Sequence, residues 1–378
     1  MIGREVAVIG VGMTKFGRFP EKTVQRIAAE AVIDAIKDAG IRMKDIEMVY
    51  SGGEGMRGQQ IMKEVGMTGV PCSNIQNACA TGSTAFREAY FAIACGACDI
   101  ALAVGSEQMG KAGLLGAGRL GGGMSPEGVL GSGLMPSVFG MNYMQHMRKY
   151  GSTLEQLAKI SVKNHKNGCY NPRSQYQIML TVEDVLNSRM ISYPHTLYMC
   201  CPTGDGGAAA ILCSMDKARQ YTTKPVKIAG SGLASDPYGP RNLALADINT
   251  TTRNAAKQAY EQAGLGPEDL DLVELHDCFA GPELLHYENL GLCAEGEGGR
   301  MIDEGLVEIG GKIPVNVSGG LLAKGHPISA TGVANICEIV WQLRGEAQTQ
   351  DRQIPNAKVG LAHTVGMGTA SAVHILTI

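Results

Sequence analysis

The chain has 378 residues, 18% of them charged and 44% hydrophobic, with a formal net charge of −3. That length supplies two or three domains with cores of their own, and so small a charge excess excludes the fields that hold nucleic acid or an anionic membrane. Fifty-one glycines against six phenylalanines and one tryptophan imply an interior of small residues, and eleven scattered cysteines without secretory spacing point to a reducing cytoplasm.

In chain order, Glu5–Val11 alternates and is β-branched, which predicts a strand rather than a signal peptide. Thr23–Ala39 places Val24, Ile27, Ala28, Ala31, Val32, Ala35 and Ile36 on one face, an amphipathic helix ended by Gly40. Pro71–Gln76 reads as a tight polar run, followed by N-A-C-A-T-G-S from Asn77. Cys79 stands just ahead of a helical pattern made by Ala80, Ser83, Thr84, Phe86, Ala89, Tyr90, Ile93 and Ala94. A cysteine at a helix N-terminus faces unpaired N–H groups and the positive end of the dipole, both of which favour the thiolate. The small neighbours Ala78, Ala80, Gly82 and Ser83 leave room for a substrate carbonyl, and the N–H of Cys79 is placed to meet an oxyanion. On this segment alone, a structural cysteine in an Ala-rich helix is the competing reading.

Cys95-Gly-Ala-Cys98 is formally C-x-x-C, but no second pair follows at zinc-ribbon spacing, so neither a metal nor a redox role is assigned to it. Ile100–Val104 is a short apolar strand. Lys111–Cys200 then reads as an insertion, rich in Gly and Met early and helical at Met141–Tyr150 and Leu154–Cys169. Insertions of that length in an α/β scaffold shape binding sites. Its methionines (Met124, Met135, Met141, Met144, Met147, with Met109 just before it) could form an adaptable acyl pocket, although ordinary packing is the commoner reason for such spacing. Gly116-Ala-Gly118-Arg-Leu-Gly121 matches G-x-G-x-x-G, yet it neither follows a strand nor opens a helix, so it fails as a dinucleotide fingerprint. No stretch is long and apolar enough for a membrane span, and the strand-like H-I-L-T-I at the C-terminus is no targeting tripeptide.

The second half repeats the first. Lys224–Gly232 restates the strand and glycine loop, Thr252–Ala263 the helix, and A-G-L-G-P-E-D-L-D-L-V-E from Ala263 lies ungapped over A-G-I-R-M-K-D-I-E-M-V-Y from Ala39. Gly40 then matches Gly264, Asp45 matches Asp269, Ile46 matches Leu270 and Val49 matches Val273. The separation is too long for a solenoid and implies two copies of one α/β domain, closed by Ile100–Val104 and Gly206–Cys213 in the first copy and by Lys358–Ala362 and Ala370–Leu376 in the second. The predicted boundaries are 1–110 with 201–222 for the first half, 111–200 for the insertion and 223–378 for the second half.

Three stretches of the second half carry chemistry. His326 lies in K-G-H-P, a rigid turn before a helix over Ala330–Leu343, where an imidazole can take a proton or meet a developing negative charge. Val273–Ala280 runs an apolar strand into His276, Asp277 and Cys278, the strand-end position where ligand sites form in open α/β folds. Leu361–Gly368 ends another strand on His363 and Thr364 and then turns on glycines whose N–H groups suit an oxyanion.

In this order and at these separations, N-A-C-A-T-G-S, H-D-C-F, G-G-L-L-A-K-G-H-P-I-S-A-T-G and H-T-V-G-M-G resemble the thiolase superfamily, within it the sterol-carrier-protein-type and archaeal-type branch, across essentially the whole chain. The resemblance implies a five-layered αβαβα α/β fold of two duplicated halves, an inserted loop domain that receives coenzyme A, and at least a homodimer. It implies Cys79 as the acylated nucleophile and His326 as its activator and a donor of the first oxyanion hole. It places His276 where the commoner branch has an asparagine that positions a water, and gives the second oxyanion hole to the N–H groups of Cys79 and Gly366. The terminal C-x-G cysteine of the commoner branch is missing, and Thr364 stands there. Cys278 is the substitute acid, with an unperturbed thiol pKa of about 8.5 that neighbours can lower. Asp277, His363 and Thr364 are supporting candidates.

The activity implied is cleavage or formation of a 3-ketoacyl-CoA, with coenzyme A as substrate and neither metal nor bound cofactor. Alternatives are a non-thiolytic acyltransferase or retro-aldolase on the same scaffold, or a catalytically weak subunit of a hetero-complex. A separate small zinc-ribbon/OB-fold protein is the expected partner.

Overall fold

The computed structural model describes residues 3–66, 69–112, 134–239, 247–367 and 370–378. Strands β1 (Val6–Met13), β2 (Met48–Gly52), β3 (Cys72–Ile75), β4 (Ile100–Gln108) and β7 (Asp205–Ser214) form a first row in the order β3-β2-β4-β7-β1. Strands β8 (Val226–Ser235), β9 (Leu272–Glu274), β10 (Val359–Gly366) and β11 (Ala370–Thr377) form a second row in the order β8-β11-β10-β9, and Val315 bridges Val273 in parallel beyond β9. Counting Val315 as a third strand, each row has the same order in its own chain sequence, as a duplication requires. A separate hairpin, β5 (Met190–Ser192) with β6 (His195–Thr196), lies in the insertion.

The local chemistry of the two halves also repeats. Helix α1 (Val24–Ala39) is capped at Thr23, whose hydroxyl accepts the Arg26 N–H, and it ends at Gly40 in the left-handed region with φ +65°. The matching helix of the second half (Ile248–Ala263) is capped by Asp247 and ends at Gly264 with φ +67°. Beyond each stop, an aspartate folds back on the backbone: Asp45 accepts the Arg42 N–H at 2.9 Å and Asp269 that of Gly266 at 2.8 Å. Val49 and Val273 then enter their strands fully buried. The ungapped alignment therefore follows backbone requirements that recur.

Two further helices lie between the rows. These are α3 (Thr81–Ala94) and the C-terminal helix Ile328–Arg344, which touch each other and strands of both rows. Alternation on β1 shows the layering: Val6 and Val8 face the central layer with Phe86, Ile93, Val333 and Ile336, while Ala7 and Ile9 face α1 and α2 (Arg57–Val65). A third apolar cluster joins the outer face of the second row to the inserted helices α4 (Met135–Tyr150) and α5 (Leu154–Cys169). The succession is helix, sheet, helix, sheet, helix. The rows are not separate sheets, however: β1 pairs with β8 through Ala7–Lys227 and Val8–Val226, so nine strands form one hydrogen-bonded sheet.

One local expectation changes. The polar run Pro71–Gln76 contains β3, an edge strand parallel to β2, because sheet pairing rather than apolar content fixes it. Of the methionines, Met109 is buried and Met135 and Met147 pack against the third cluster, whereas Met144 is exposed. Gly116–Gly121 and Met124 lie outside the described residues. Among the described residues, no helix is long and apolar enough to cross a membrane.

Helix α5 couples the insertion to the second half. Its cap Thr153 accepts the Gln156 N–H while Gln156 accepts that of Thr153, a reciprocal box. Thr153→Ala is expected to lower stability by about 1 kcal/mol in chemical denaturation.

Candidate active site

The nucleophile candidate sits on a turn that the chain pays to form. Ala78 has φ +48°, a left-handed conformation that L side chains adopt at a cost. The turn is held by hydrogen bonds from Asn77 N–H to Thr81 Oγ1 at 2.8 Å, from Thr81 Oγ1 to Gln76 at 2.7 Å and from Ala80 N–H to the Asn77 carbonyl at 3.0 Å. Cys79 is thereby presented two residues before α3 begins. The end of β10 lies against this turn. A Cβ on Gly366 would stand 2.2 Å from the Asn77 carbonyl oxygen, so only glycine allows the approach.

Onto this sulfur converge two imidazoles from the second half. Cys79 Sγ and one ring nitrogen each of His276 and His326 all lie within 4.8 Å of one another, and all three residues are buried. The two rings meet edge to face, with centroids 5.0 Å apart. His326 follows the short helix Gly320–Lys324, in a turn between Gly325 (φ +111°) and Pro327. Its Nδ1 is 2.7 Å from Thr331 Oγ1, and that hydroxyl donates to the Pro327 carbonyl at 3.0 Å. Thr331 therefore accepts from Nδ1–H, which leaves Nε2 with a lone pair and no hydrogen-bond partner. Burial holds His326 neutral, its pKa pushed down to about 3. Both ring nitrogens of His276 lack partners, and burial, with His326 and His286 beside it, keeps that ring neutral as well.

The supporting candidates separate by what they touch. His363 Nδ1 faces the backbone N–H of His276 at 3.4 Å, its Nε2 faces Thr252 at 3.4 Å, and its ring meets His286, so it steadies the strand end that carries His276. Asp277 is held by backbone and amide donors. Its carboxylate accepts the N–H groups of Leu321 at 2.7 Å and Leu322 at 3.2 Å and the amide of Asn164, on α5, at 2.8 Å. A Cβ on Gly320 would stand 2.2 Å from that carboxylate. Asp277 thus ties the His276–Cys278 strand end to the helix that leads to His326. Thr364 donates to Ser83 Oγ at 2.7 Å and joins β10 to α3.

Two expectations about the thiols are reversed. The Cys79 thiol is not lowered by its place near a helix: burial pushes its pKa up to about 12, against the pull of the N–H groups of Met367 and of Cys79 itself at the sulfur. A helix terminus supplies about 0.3–1 kcal/mol within its first turn, and the desolvation of a buried thiolate costs more. Nor do neighbours lower Cys278. Its thiol is buried, and burial together with Cys201, Cys79 and Asp277 raises it well above the ordinary thiol value. At rest both are neutral thiols.

Two features had no signal in the sequence, and a third had only a weak one. The Met367 amide reaches the Cys79 sulfur from the residue after Gly366. Thr331 sets the tautomer of His326. Cys201 lies directly across from Cys278, its N–H donating to the Cys278 carbonyl at 3.0 Å beside the Cys200–Phe279 bridge. Only a doublet of cysteines ahead of β7 marked it.

The description "Thiolase, N-terminal domain" fits residues 6–182, and "Thiolase C-terminal domain-like" fits residues 243–378. The chain is 42% identical to an acetyl-CoA acetyltransferase of Methanothermobacter thermautotrophicus over 99% of this chain and 100% of that protein. It is 40% identical to sterol carrier protein 2 of Bos taurus over 97% of this chain and 71% of that protein. A solved structure named Ltp2-ChsH2(DUF35) aldolase superposes with TM-score 0.88 and 26% identity, covering 100% of this chain and 98% of that one.

Proposed function

The chain belongs to the thiolase family and is an acyltransferase of it; from that premise we propose that it cleaves or forms a 3-ketoacyl-CoA through an acyl-enzyme on Cys79. The observation that carries the proposal is the meeting of Cys79 Sγ with the ring nitrogens of His276 and His326 within 4.8 Å. A neutral buried thiol needs a base beside it, and the unprotonated Nε2 of His326 is that base.

In the cleavage direction, His326 Nε2 takes the Cys79 proton and the thiolate attacks the C3 ketone. The tetrahedral oxyanion is met by the N–H groups of Cys79 and Gly366, with that of Met367 also directed at the sulfur. The C2–C3 bond breaks, and its electron pair passes into a thioester enolate whose oxygen faces the new Nε2–H of His326, with His276 alongside. Cys278 gives its proton to the enolate carbon, and acetyl-CoA leaves. An incoming coenzyme A gives its thiol proton to Cys278 and attacks the acyl group, and Cys79 takes its proton back from His326. In this reading residues 1–110 with 201–222 and residues 223–378 are the two catalytic halves, and residues 111–200 carry the coenzyme A arm.

Incubation with acetoacetyl-CoA followed by peptide mass spectrometry tests the reading: an acetyl group on the Cys79 peptide, released on addition of coenzyme A, is expected. Cleavage of a 3-hydroxyacyl-CoA to an aldehyde or ketone and a shorter acyl-CoA, with no acyl-enzyme and no need for coenzyme A, would instead establish the second reading, a retro-aldolase, which the likeness to a structure named as an aldolase favours. Cys278→Ala is expected to acylate normally while slowing solvent deuterium exchange into the methyl of acetyl-CoA by about 10²–10⁴-fold. Exchange at the wild-type rate would remove Cys278 from the proton path. The same reading gives the chain a homodimeric core in the cytoplasm and a small zinc-ribbon/OB-fold partner, supported by the DUF35 component named in that structure.

A further inference from the structure

We propose that Cys79, His276 and His326 also form a binding site for one soft divalent cation, Zn²⁺ above all, which holds the chain inactive while it is bound. A thiolate with two neutral imidazoles is a donor set that zinc prefers, and three protein ligands leave a fourth tetrahedral position to water. The three donor atoms lie within 4.8 Å of one another. At Zn–N and Zn–S bonds of about 2.0–2.3 Å, tetrahedral ligand atoms stand roughly 3.5 Å apart, so an inward shift of about 1 Å closes the set.

The nitrogens are ready to ligate. Neither ring nitrogen of His276 has a hydrogen-bond partner, nor does Nε2 of His326, and both rings are buried at 0% and 2% exposure. Thr331 holds Nδ1–H of His326 at 2.7 Å, the outer partner that aims a metal-ligating imidazole. Binding replaces the Cys79 S–H bond by an S–metal bond and releases one proton to the buffer. The sulfur lone pair that would attack a carbonyl is then engaged. Cation binding requires no acyl substrate, so it stands or fails independently of acyl transfer.

The test is titration of the metal-free full chain with Co²⁺, read by visible and near-ultraviolet absorption. One equivalent is expected to bring up tetrahedral cobalt bands with a thiolate-to-cobalt charge-transfer band, both abolished by one equivalent of Zn²⁺. Cys79→Ser should remove the charge-transfer band, and His276→Asn and His326→Gln should each weaken binding about a hundredfold or more. In the wild-type chain, Zn²⁺ should protect the Cys79 peptide from iodoacetamide, an arm that needs no variant to fold. A charge-transfer band that survives Cys79→Ser, affinity unchanged by both histidine variants, or alkylation of Cys79 unaffected by Zn²⁺ would each overturn the proposal.

Discussion

Cys79→Ala will leave no acyl-enzyme and lower turnover by roughly 10⁴–10⁶-fold, the scale of loss when an acyl-transfer nucleophile is removed while the rest of the site stays in place. The reason is geometric. His326 has a free Nε2, but the sulfur is the group beside it positioned to attack. The neighbouring Cys278 and Cys201 are thiols raised by burial, and among the described residues neither belongs to the cluster of donor atoms that joins Cys79 to His276 and His326. They therefore do not inherit the role. Folding should survive: the turn at Ala78 is held by Asn77, Thr81 and Gln76, none of which uses the sulfur. Matching far-ultraviolet circular dichroism and a melting temperature near that of the wild type would confirm this. Turnover within tenfold of the wild type would remove Cys79 as the nucleophile.

Acid should unfold this chain sharply. Of its eight histidines, seven (165, 195, 276, 286, 326, 363 and 374) are held neutral by burial. His195 is pushed down to about 4 and His286, His326 and His374 to about 3. A histidine whose folded pKa lies below its unfolded value of about 6.5 binds more protons when unfolded, so the stability present above that pH is lost as pH falls toward the folded value. Between pH 7.5 and 5.5 each such group removes on the order of 1 kcal/mol, and His195, His286, His326 and His374 together remove about 5 kcal/mol. Asp277 and Glu274, whose carboxyls burial raises, act in the opposite sense, gaining protons in the folded state as pH falls, but they are fewer. Urea midpoints at the two pH values decide the matter: a marked fall is expected, and equal midpoints would mean that these imidazoles are already hydrated in the folded chain.

What could be read from the sequence was whatever local backbone chemistry forces. Gly40 and Gly264 must stop their helices in the left-handed region, and Asp45 and Asp269 must satisfy the N–H groups that follow, so the duplication shows in the letters. The motif residues Cys79, His276 and His326 were legible because the first stands just ahead of a helical pattern, the second at the end of an apolar strand and the third between a glycine and a proline. The edge strand β3 was not, because Ser73 and Asn74 carry no strand signal until β2 pairs with them. Nor was the link from Asn164 to Asp277, which joins residues far apart in the chain.

The sequence by itself determined a duplicated α/β chain with a cysteine and two histidines at the ends of its structural elements, since periodicity, caps and turns are properties of neighbouring residues. Only the tertiary structure decided the charge state of those groups, the tautomer of His326 and the place of Cys201 opposite Cys278, since desolvation and hydrogen bonding depend on what the fold brings from elsewhere.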